Sequence, residues 1–292
     1  MSLTRVGVGK VRETWVDPRD EAALLVVATD RVSAFDVVLP ELVPDKGRLL
    51  TAIAAAAFER VASDVATHLL EVATDVPDVW LGRTLRVRRL AMLPVECVVR
   101  GRLVGSAWES YQRDGTAFGR ELPRDLDFGA PFPEPLFTPT TKAHVGHDLP
   151  LGPDELGELV GERRARELAD RSLEVFSLLA SWFDAKGLTL VDAKFEFGLD
   201  GRALVLADEI ATPDAARIVA GDLGQNPQWL DKQLLRDWLV AEGFRGEGPP
   251  PPLPSDLVGE LRGRYVTVYE TLTGRSFDEW PGSADPYGGE RA

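Results

Sequence analysis

At 292 residues and a formal net charge of −14, the chain is long enough for a large core in two lobes. It is too acidic to offer nucleic acid or an anionic membrane a basic field. With 44% hydrophobic residues, nothing that reads as a signal peptide, no repeat and no apolar run of bilayer length, it is expected to be globular. The single cysteine, Cys97, excludes an internal disulfide and suits a reducing cytoplasm.

The N-terminal third predicts a β-rich lobe. Residues 6–16 (VGVGKVRETWV) alternate as one strand with Lys10 and Arg12 on one face. An exposed edge face is the plainer reading of that pair. Residues 22–40 predict two apolar strands around Thr29-Asp30-Arg31, and 49–65 a helix carrying the plain run Ala54-Ala55-Ala56-Ala57. Residues 85–89 and 95–102 predict further strands. Residues 106–113 read as a helix, after which 115–153 concentrate glycine and proline. An irregular stretch of that length is usually functional. Residues 154–186 predict a long amphipathic helix, broken near Asp170 and stopped by Gly187. Residues 227–242 and 255–273 predict two more helices, the second capped by Ser255, with the prolines at 249–252 as a stiff spacer. The tail after Trp280 reads as loose.

The most informative stretch is 188–217. Residues 188–198 and 203–210 predict two strands around the turn signal Asp200-Gly201. Period-two geometry puts Asp192, Lys194 and Glu196 on one face, and Phe195 and Phe197 on the other. A strict two-residue turn sets Asp208 opposite that polar face. A three-residue loop (Asp200, Gly201, Arg202) pairs 194 with 208 and gathers Lys194, Glu196 and Asp208, and the clustering of charge favours it. Carboxylates and a lysine on rigid strands suit Mg²⁺ carrying nucleotide phosphates. A solvated hairpin face of alternating charge is the plainer alternative.

Three further constellations stand out. Arg100-Gly101-Arg102 leads from an apolar strand into Gly105-Ser106, a strand-to-helix junction able to present N–H groups and a hydroxyl to phosphate. Lys142, His144, His147 and Asp148 end the Pro-rich segment; two histidines at i, i+3 without cysteine argue only weakly for zinc. Loop positioning, or a hard ion at Asp148, is favoured. Lys232, Arg236 and Asp237 lie on a helix, where a solvated face is the plain reading. No Gly-x-Ser-x-Gly, Walker lysine loop or dinucleotide fingerprint occurs. There is no His-Arg-Asp, and the one Asp-Phe-Gly (residues 127–129) sits in the Pro-rich segment, which argues against a protein kinase.

Taken in order, GKVRETW, TDRVSAFDVVLP, DKG, VECVVRGRLVGSAWESY, PEPLFTPTTKA with GHD, VDAKFEFG, ADEIATPDAAR and DKQLLRDWL resemble the phosphoribosylaminoimidazole-succinocarboxamide synthase (SAICAR synthetase) family. The resemblance runs from about residue 7 to residue 273. It implies an α+β fold in two lobes: a kinase-like, β-rich ATP-binding lobe over 1–106 and an ATP-grasp-like lobe over 107–292 holding the substrate and metal sites. It also implies an ATP-dependent ligase that joins the carboxylate of carboxyaminoimidazole ribotide to the amine of L-aspartate through an acyl phosphate, with ATP and Mg²⁺ as cofactors. The partners implied are these small molecules, for a monomer or small homo-oligomer that binds neither nucleic acid nor membrane.

Carried over position by position, Lys10 and Arg12 resemble the residues facing the nucleotide phosphates, with adenine expected against 92–96, Met92 and Glu96 included. Glu196 and Asp208 resemble the Mg²⁺ ligands. Lys194, with Asp192 and Asp214, resembles the catalytic set. Arg100, Ser106 and Arg217 resemble the cradle of the ribotide phosphate, and Lys142, Asp148, Lys232 and Arg236 further substrate-site residues. The chain departs from the family pattern at Ala193, Leu149-Pro150, Ala215-Ala216 and the alanine run at 54–57, where hydroxyls, a carboxylate or rings are usual. These departures support an alternative, a paralogue ligating a different carboxylate or amine. That reading expects Ala193, Leu149, Ala215 and Ala216 around one apolar subsite.

Overall fold

The computed structural model describes residues 3–142, 148–224 and 227–283. The chain opens with antiparallel strands β1 (Arg5–Val8), β2 (Arg12–Asp17) and β3 (Asp20–Ala28), then a ribbon of β4 (Arg31–Ala34) and β5 (Val37–Leu42). Helix α1 (Lys46–Val61) leads to β6 (Leu69–Val72), β7 (Thr84–Arg88), β8 (Ala91–Met92) and β9 (Val95–Arg102). Helix α2 (Ser106–Asp114) is followed by the small hairpin β10 (Thr116–Ala117) and β11 (Arg120–Glu121), then by β12 (Pro131–Phe137) and β13 (Thr140–Thr141). Next come α3 (Pro153–Val160), α4 (Glu162–Asp184), β14 (Leu188–Asp200), β15 (Ala203–Ala207), β16 (Ala216–Ala220) and β17 (Gln228–Trp229). Helices α5 (Gln233–Ala241) and α6 (Ser255–Thr273) are the last two α-helices among the described residues.

Two sheets carry the architecture. The first is the five-stranded antiparallel β1-β2-β3-β7-β6. The second has eight strands on the path β12-β9-β14-β16-β17, with β13 on β9, and β8 and β15 on β14. Strand β14 is its spine. At 13 residues it is long enough to pair with β9 and β16 along its first half and with β8 and β15 along its second. Its apolar face carries Ala193, Phe195 and Phe197 into one core with Leu168, Val175, Phe176, Leu179 and Phe183 of α4. Completely burying aromatic rings of this size contributes about 1.5–3 kcal/mol each, which fixes which face of β14 turns inward.

Several elements differ from the sequence reading. Residues 6–16 form two strands, because Gly9 closes a turn by donating its N–H to the Arg12 carbonyl (2.8 Å). Lys10 sits in that turn and pairs with Asp36, while Arg12 opens β2, so the two do not share a strand face. Residues 22–40 hold parts of three strands rather than two. The helical break expected at Asp170 falls at Gly161, whose φ of +85° ends α3 and starts α4 without a Cβ penalty. Ser255 is the first residue of α6; Pro254 occupies the cap position. Residues 227–242 begin as β17, and Asp231 starts α5 by accepting the Gln233 N–H (2.7 Å) and that of Ile218 (2.8 Å). Trp280 is anchored, its indole donating to the Gly82 carbonyl (2.7 Å). Of the tail expected to be loose after Trp280, residues 281–283 are tied down, the Ser283 hydroxyl donating to the Trp280 carbonyl (2.6 Å), and residues 284–292 lie outside the described residues. Among the described residues, no helix is long and apolar enough to cross a membrane.

One buried histidine gives this packing a pH signature. His68 lies against Phe58, ring centroids 5.1 Å apart, and burial pushes its pKa from 6.5 down to about 4. Across that window the unfolded chain holds a proton that the folded chain does not, so stability falls as pH drops through it. His68→Gln should flatten this dependence. Between pH 7 and 4 the wild type should lose on the order of 3 kcal/mol more than the variant, measured by urea unfolding. Equal losses would show that His68 is not the titrating group.

Candidate active site

The register of the second sheet builds the first half of the site. Asp192 on β14 lies directly across from Arg100 on β9 and from Arg217 on β16. The Nε of Arg217 donates to both Asp192 oxygens (3.1 and 2.9 Å), and Nη1 of Arg100 reaches Oδ2 (3.4 Å). Burial opposes the Arg217 cation, but Asp192 outweighs it and holds its pKa above the ordinary value. At Arg100 burial wins, with Arg217 adding repulsion, and the pKa falls below the ordinary value. One carboxylate between two guanidinium groups leaves positive charge over. That charge lines a cavity of ≈ 350 Å³, which Ser106 at the start of α2 and Gln233 and Arg236 at the start of α5 also line. Gly105 is required at its rim: its φ is +56°, and a Cβ there would lie 2.9 Å from Nη1 of Arg217.

A larger cleft of ≈ 720 Å³ adjoins it. Leu24, Val26, Val87, Leu90 and Met92 supply apolar lining, and the turn after β1, from Gly7 to Arg12, lines it as well. Its polar groups form two clusters. Lys194 bonds Glu96 (2.6 Å), a diagonal neighbour on β9, and Glu196 on its own strand (3.1 Å); Lys142 also pairs with Glu196. Arg12 makes two contacts with Asp208 (2.5 and 2.9 Å) and one with Glu209 (3.2 Å). Burial works against the charges of Arg12, Lys194, Glu96 and Asp208. Even so, Asp208, Glu209 and Glu196 hold the Arg12 pKa high, and Glu196, Asp208 and Glu96 do the same for Lys194. In return, Arg12 and Lys194 hold the Asp208 carboxyl well below its usual range.

The β14–β15 turn forms differently from the expectation. Asp200 pairs with Ala203 and Glu196 with Ala207, so the connection is the two-residue Gly201-Arg202 rather than a three-residue loop. Strict alternation then aims residue 208 away from the polar face. The pairing instead stops at Ala207, and Asp208 adopts a left-handed φ of 64° that brings its carboxylate back to Arg12 and Lys194. A non-glycine residue in that region is uncommon outside asparagine and aspartate. The gathering of Lys194, Glu196 and Asp208 at one cleft therefore stands, by a different geometry.

Lys194 and Asp214 line both cavities, and Asp214 is the centre of a buried cluster. Its oxygens meet Nζ of Lys46 (2.7 Å), Nζ of Lys232 (3.4 Å) and the hydroxyl of Tyr265 (2.8 Å). Burial raises the Asp214 pKa, but Lys232 and Lys46 prevail and hold it well below its usual range. Lys46, at 0% exposure, is the first residue of α1, where the helix dipole disfavours a cation. Neither Lys46 nor Tyr265 was among the expected site residues. The only sequence signal for Lys46 was its place in DKG, and Tyr265 reads as an ordinary aromatic on an amphipathic helix.

The expected residues thus divide between the two cavities. Arg100, Ser106, Asp192, Arg217 and Arg236 line the smaller one. Lys10, Arg12, Met92, Glu96, Lys142, Asp148, Glu196, Asp208 and Lys232 line the larger. Lys232 is buried, which overturns its reading as part of a solvated helix face. His144 and His147 lie outside the described residues. Among the described residues, no group of three or more His, Cys, Asp or Glu could hold a metal. Glu196 and Asp208 remain as a pair of hard oxygen donors on one cleft.

Comparison with known proteins decides what this geometry belongs to. A profile described as SAICAR synthetase matches residues 5–250. The phosphoribosylaminoimidazole-succinocarboxamide synthase of Mycolicibacterium vanbaalenii is 45% identical over 94% of this chain and 95% of its own. The chain belongs to the SAICAR synthetase family. The synthase of Corynebacterium diphtheriae is 44% identical over 96% of both chains. Among solved structures of the family, the SAICAR synthase of Saccharomyces cerevisiae complexed with SAICAR superposes with a TM-score of 0.81 at 36% identity, over 94% of this chain and 96% of that one. A type-2 SAICAR synthetase in complex with ADP gives 0.68 at 28% identity, over 93% and 98%. The α+β SAICAR synthetase fold follows directly.

The buried cluster makes a prediction for this family member. Asp214→Asn leaves two buried lysines without a carboxylate and should cost about 3–5 kcal/mol. Lys46→Met leaves Lys232 paired with Asp214 and should cost roughly half that or less. Urea unfolding of both variants checks the ranking, and the reverse order would make Lys46 the residue the cluster depends on.

Proposed function

We propose that this chain ligates the carboxylate of carboxyaminoimidazole ribotide to the amine of L-aspartate at the expense of ATP, as the names of its relatives indicate for them. The observation that carries the reading is the shared wall. A cavity lined by arginines and a larger cleft with an apolar wall and clustered charge meet at Lys194 and Asp214. An anionic ribotide in the first and ATP in the second would bring carboxylate and γ-phosphate together at those two residues. The neighbour bound to ADP supports nucleotide use, and the one bound to SAICAR supports the substrate class.

A carboxylate does not react with an amine at neutral pH. Its oxygen attacks the γ-phosphorus and ADP leaves. The aspartate nitrogen then attacks the acyl carbon, gives up a proton, and inorganic phosphate departs. Both steps bring anions together, so positioning and charge neutralisation are the main requirements. Lys194 and Arg12 neutralise phosphate charge; Arg100, Arg217 and Arg236 hold the ribotide; Asp214, kept ionised by its lysines, holds Lys232 at the wall the two cavities share. Lys142, Asp148, Lys232 and Lys10 line the nucleotide side. Glu196 and Asp208 fit Mg²⁺, because a nucleotide-bound Mg²⁺ commonly takes only one or two protein carboxylates. When bound, it supplies further neutralisation at the phosphoryl group.

The paralogue alternative fares less well. Ala193, Ala215 and Ala216 line the arginine cavity, but Leu149 is 64% exposed and lines neither cavity, so no common apolar subsite forms. We further propose a cytoplasmic monomer or small homo-oligomer that works as two lobes, with the chain passing from the first sheet to the second between β7 and β8 rather than near residue 106.

ADP release with Mg-ATP and aspartate should depend on the ribotide; release only with another carboxylate would overturn the substrate assignment. Glu196→Gln and Asp208→Asn should nearly abolish turnover while the protein stays folded. Arg217→Ala should raise the KM for the ribotide about 10–100-fold, since a charge-assisted hydrogen bond is worth about 1.5–3 kcal/mol, with much less effect on ATP. A change confined to ATP would move Arg217 to the nucleotide side.

A further inference from the structure

The hairpin β10–β11 carries a residue that its own turn does not favour. Ala117 pairs with Arg120, so the connection is Phe118-Gly119, with φ of 51° and 74°. Two successive positive φ values belong to the mirror-image turn for which Asn-Gly is the preferred sequence. A bulky aromatic at the first of these positions is a genuine outlier, and such strain persists where the surrounding structure has a use for it.

The use is visible across the fold. The Phe118 ring lies over the guanidinium of Arg100, 4.6 Å from carbon to centroid. Arg100 is held at two other points, by Nε to the Thr138 hydroxyl (3.0 Å) and by Nη1 to Asp192 (3.4 Å). Phe118 itself is 40% exposed and does not line the arginine cavity, so it covers Arg100 from outside. The base of the hairpin is fixed. Ala117 is buried with Leu103, Tyr111 and Phe132, and the Tyr111 hydroxyl donates to the Pro123 carbonyl (2.8 Å) and accepts the Leu126 N–H (2.9 Å).

We infer that Phe118 is a positioning residue for the anionic group of the substrate: its ring fixes the plane of Arg100 so that the guanidinium meets that group pre-oriented. A cation–π contact at a partly exposed site supports this as a tuning effect rather than an all-or-none requirement. The inference rests on the reading that Arg100 binds the phosphate of the ribotide.

The test separates the two. Phe118→Asn suits the turn and removes the ring. It should leave the melting temperature unchanged or higher, leave kcat and the KM for ATP unchanged, and raise the KM for the ribotide about 2–5-fold. Phe118→Tyr keeps the ring and should keep the wild-type KM. In an Arg100→Ala background, Phe118→Asn should add nothing. A wild-type ribotide KM for Phe118→Asn, beside a clear loss for Arg100→Ala, overturns the role of Phe118 alone. No loss for Arg100→Ala overturns the phosphate reading, and the inference with it. A shift shared by Phe118→Tyr, or one that persists without Arg100, also overturns it.

Discussion

Asp192 stands between Arg100 and Arg217 because β9, β14 and β16 are paired in one particular register. The row explains why a chain of charge −14 can still hold an anion. One buried carboxylate is enough to make two neighbouring guanidinium groups tolerable, but not enough to neutralise them. The residual positive charge faces the cavity from partly buried guanidinium groups, where its effect on a ligand is larger than at the open surface. A register slip of one residue would send Asp192 into the core and Phe195 out to the cavity, so packing and electrostatics select the same pairing.

The same excess recurs at Asp214, where two lysines share one carboxylate. Replacing a buried ion pair by apolar groups is often neutral or stabilising, so stability alone does not account for a lysine sealed at the first turn of α1. Its contact with Asp214, which lines both cavities, does. The larger cleft carries no such excess. Glu96, Glu196, Asp208 and Glu209 face Arg12, Lys142 and Lys194, and Lys10, Arg88 and Lys232 lie on its lining as well. A cationic pocket on the ribotide side and a charge-balanced cleft on the nucleotide side suit the two ligands proposed, a bare anion and one that carries a metal.

Local sequence pattern alone determined a good deal. It placed Asp192, Lys194 and Glu196 on one face and Phe195 and Phe197 on the other, and it marked β7, β9, α2 and α6 to within a residue or two. These are local properties: alternation, helical spacing and Gly or Pro boundaries act over a few residues. The order of short motifs likewise pointed to the family before any contact was known. Where it failed locally, a glycine carried more weight than the apolar pattern, as at Gly9 and Gly161.

Tertiary structure decided what lies far apart in the chain or rests on one backbone angle. The return of Asp208 depends on a single left-handed residue at the point where pairing with β14 ends, and no periodic pattern encodes that. Lys46 meets Asp214 across 168 residues, and Phe118 reaches Arg100 from a hairpin tip. In the sequence Lys46 looks like a surface lysine beside a turn, and Lys232 like one on a helix face. Both are buried because α1, α6 and the segment before α5 converge on Asp214, and only the packed chain brings those charges together.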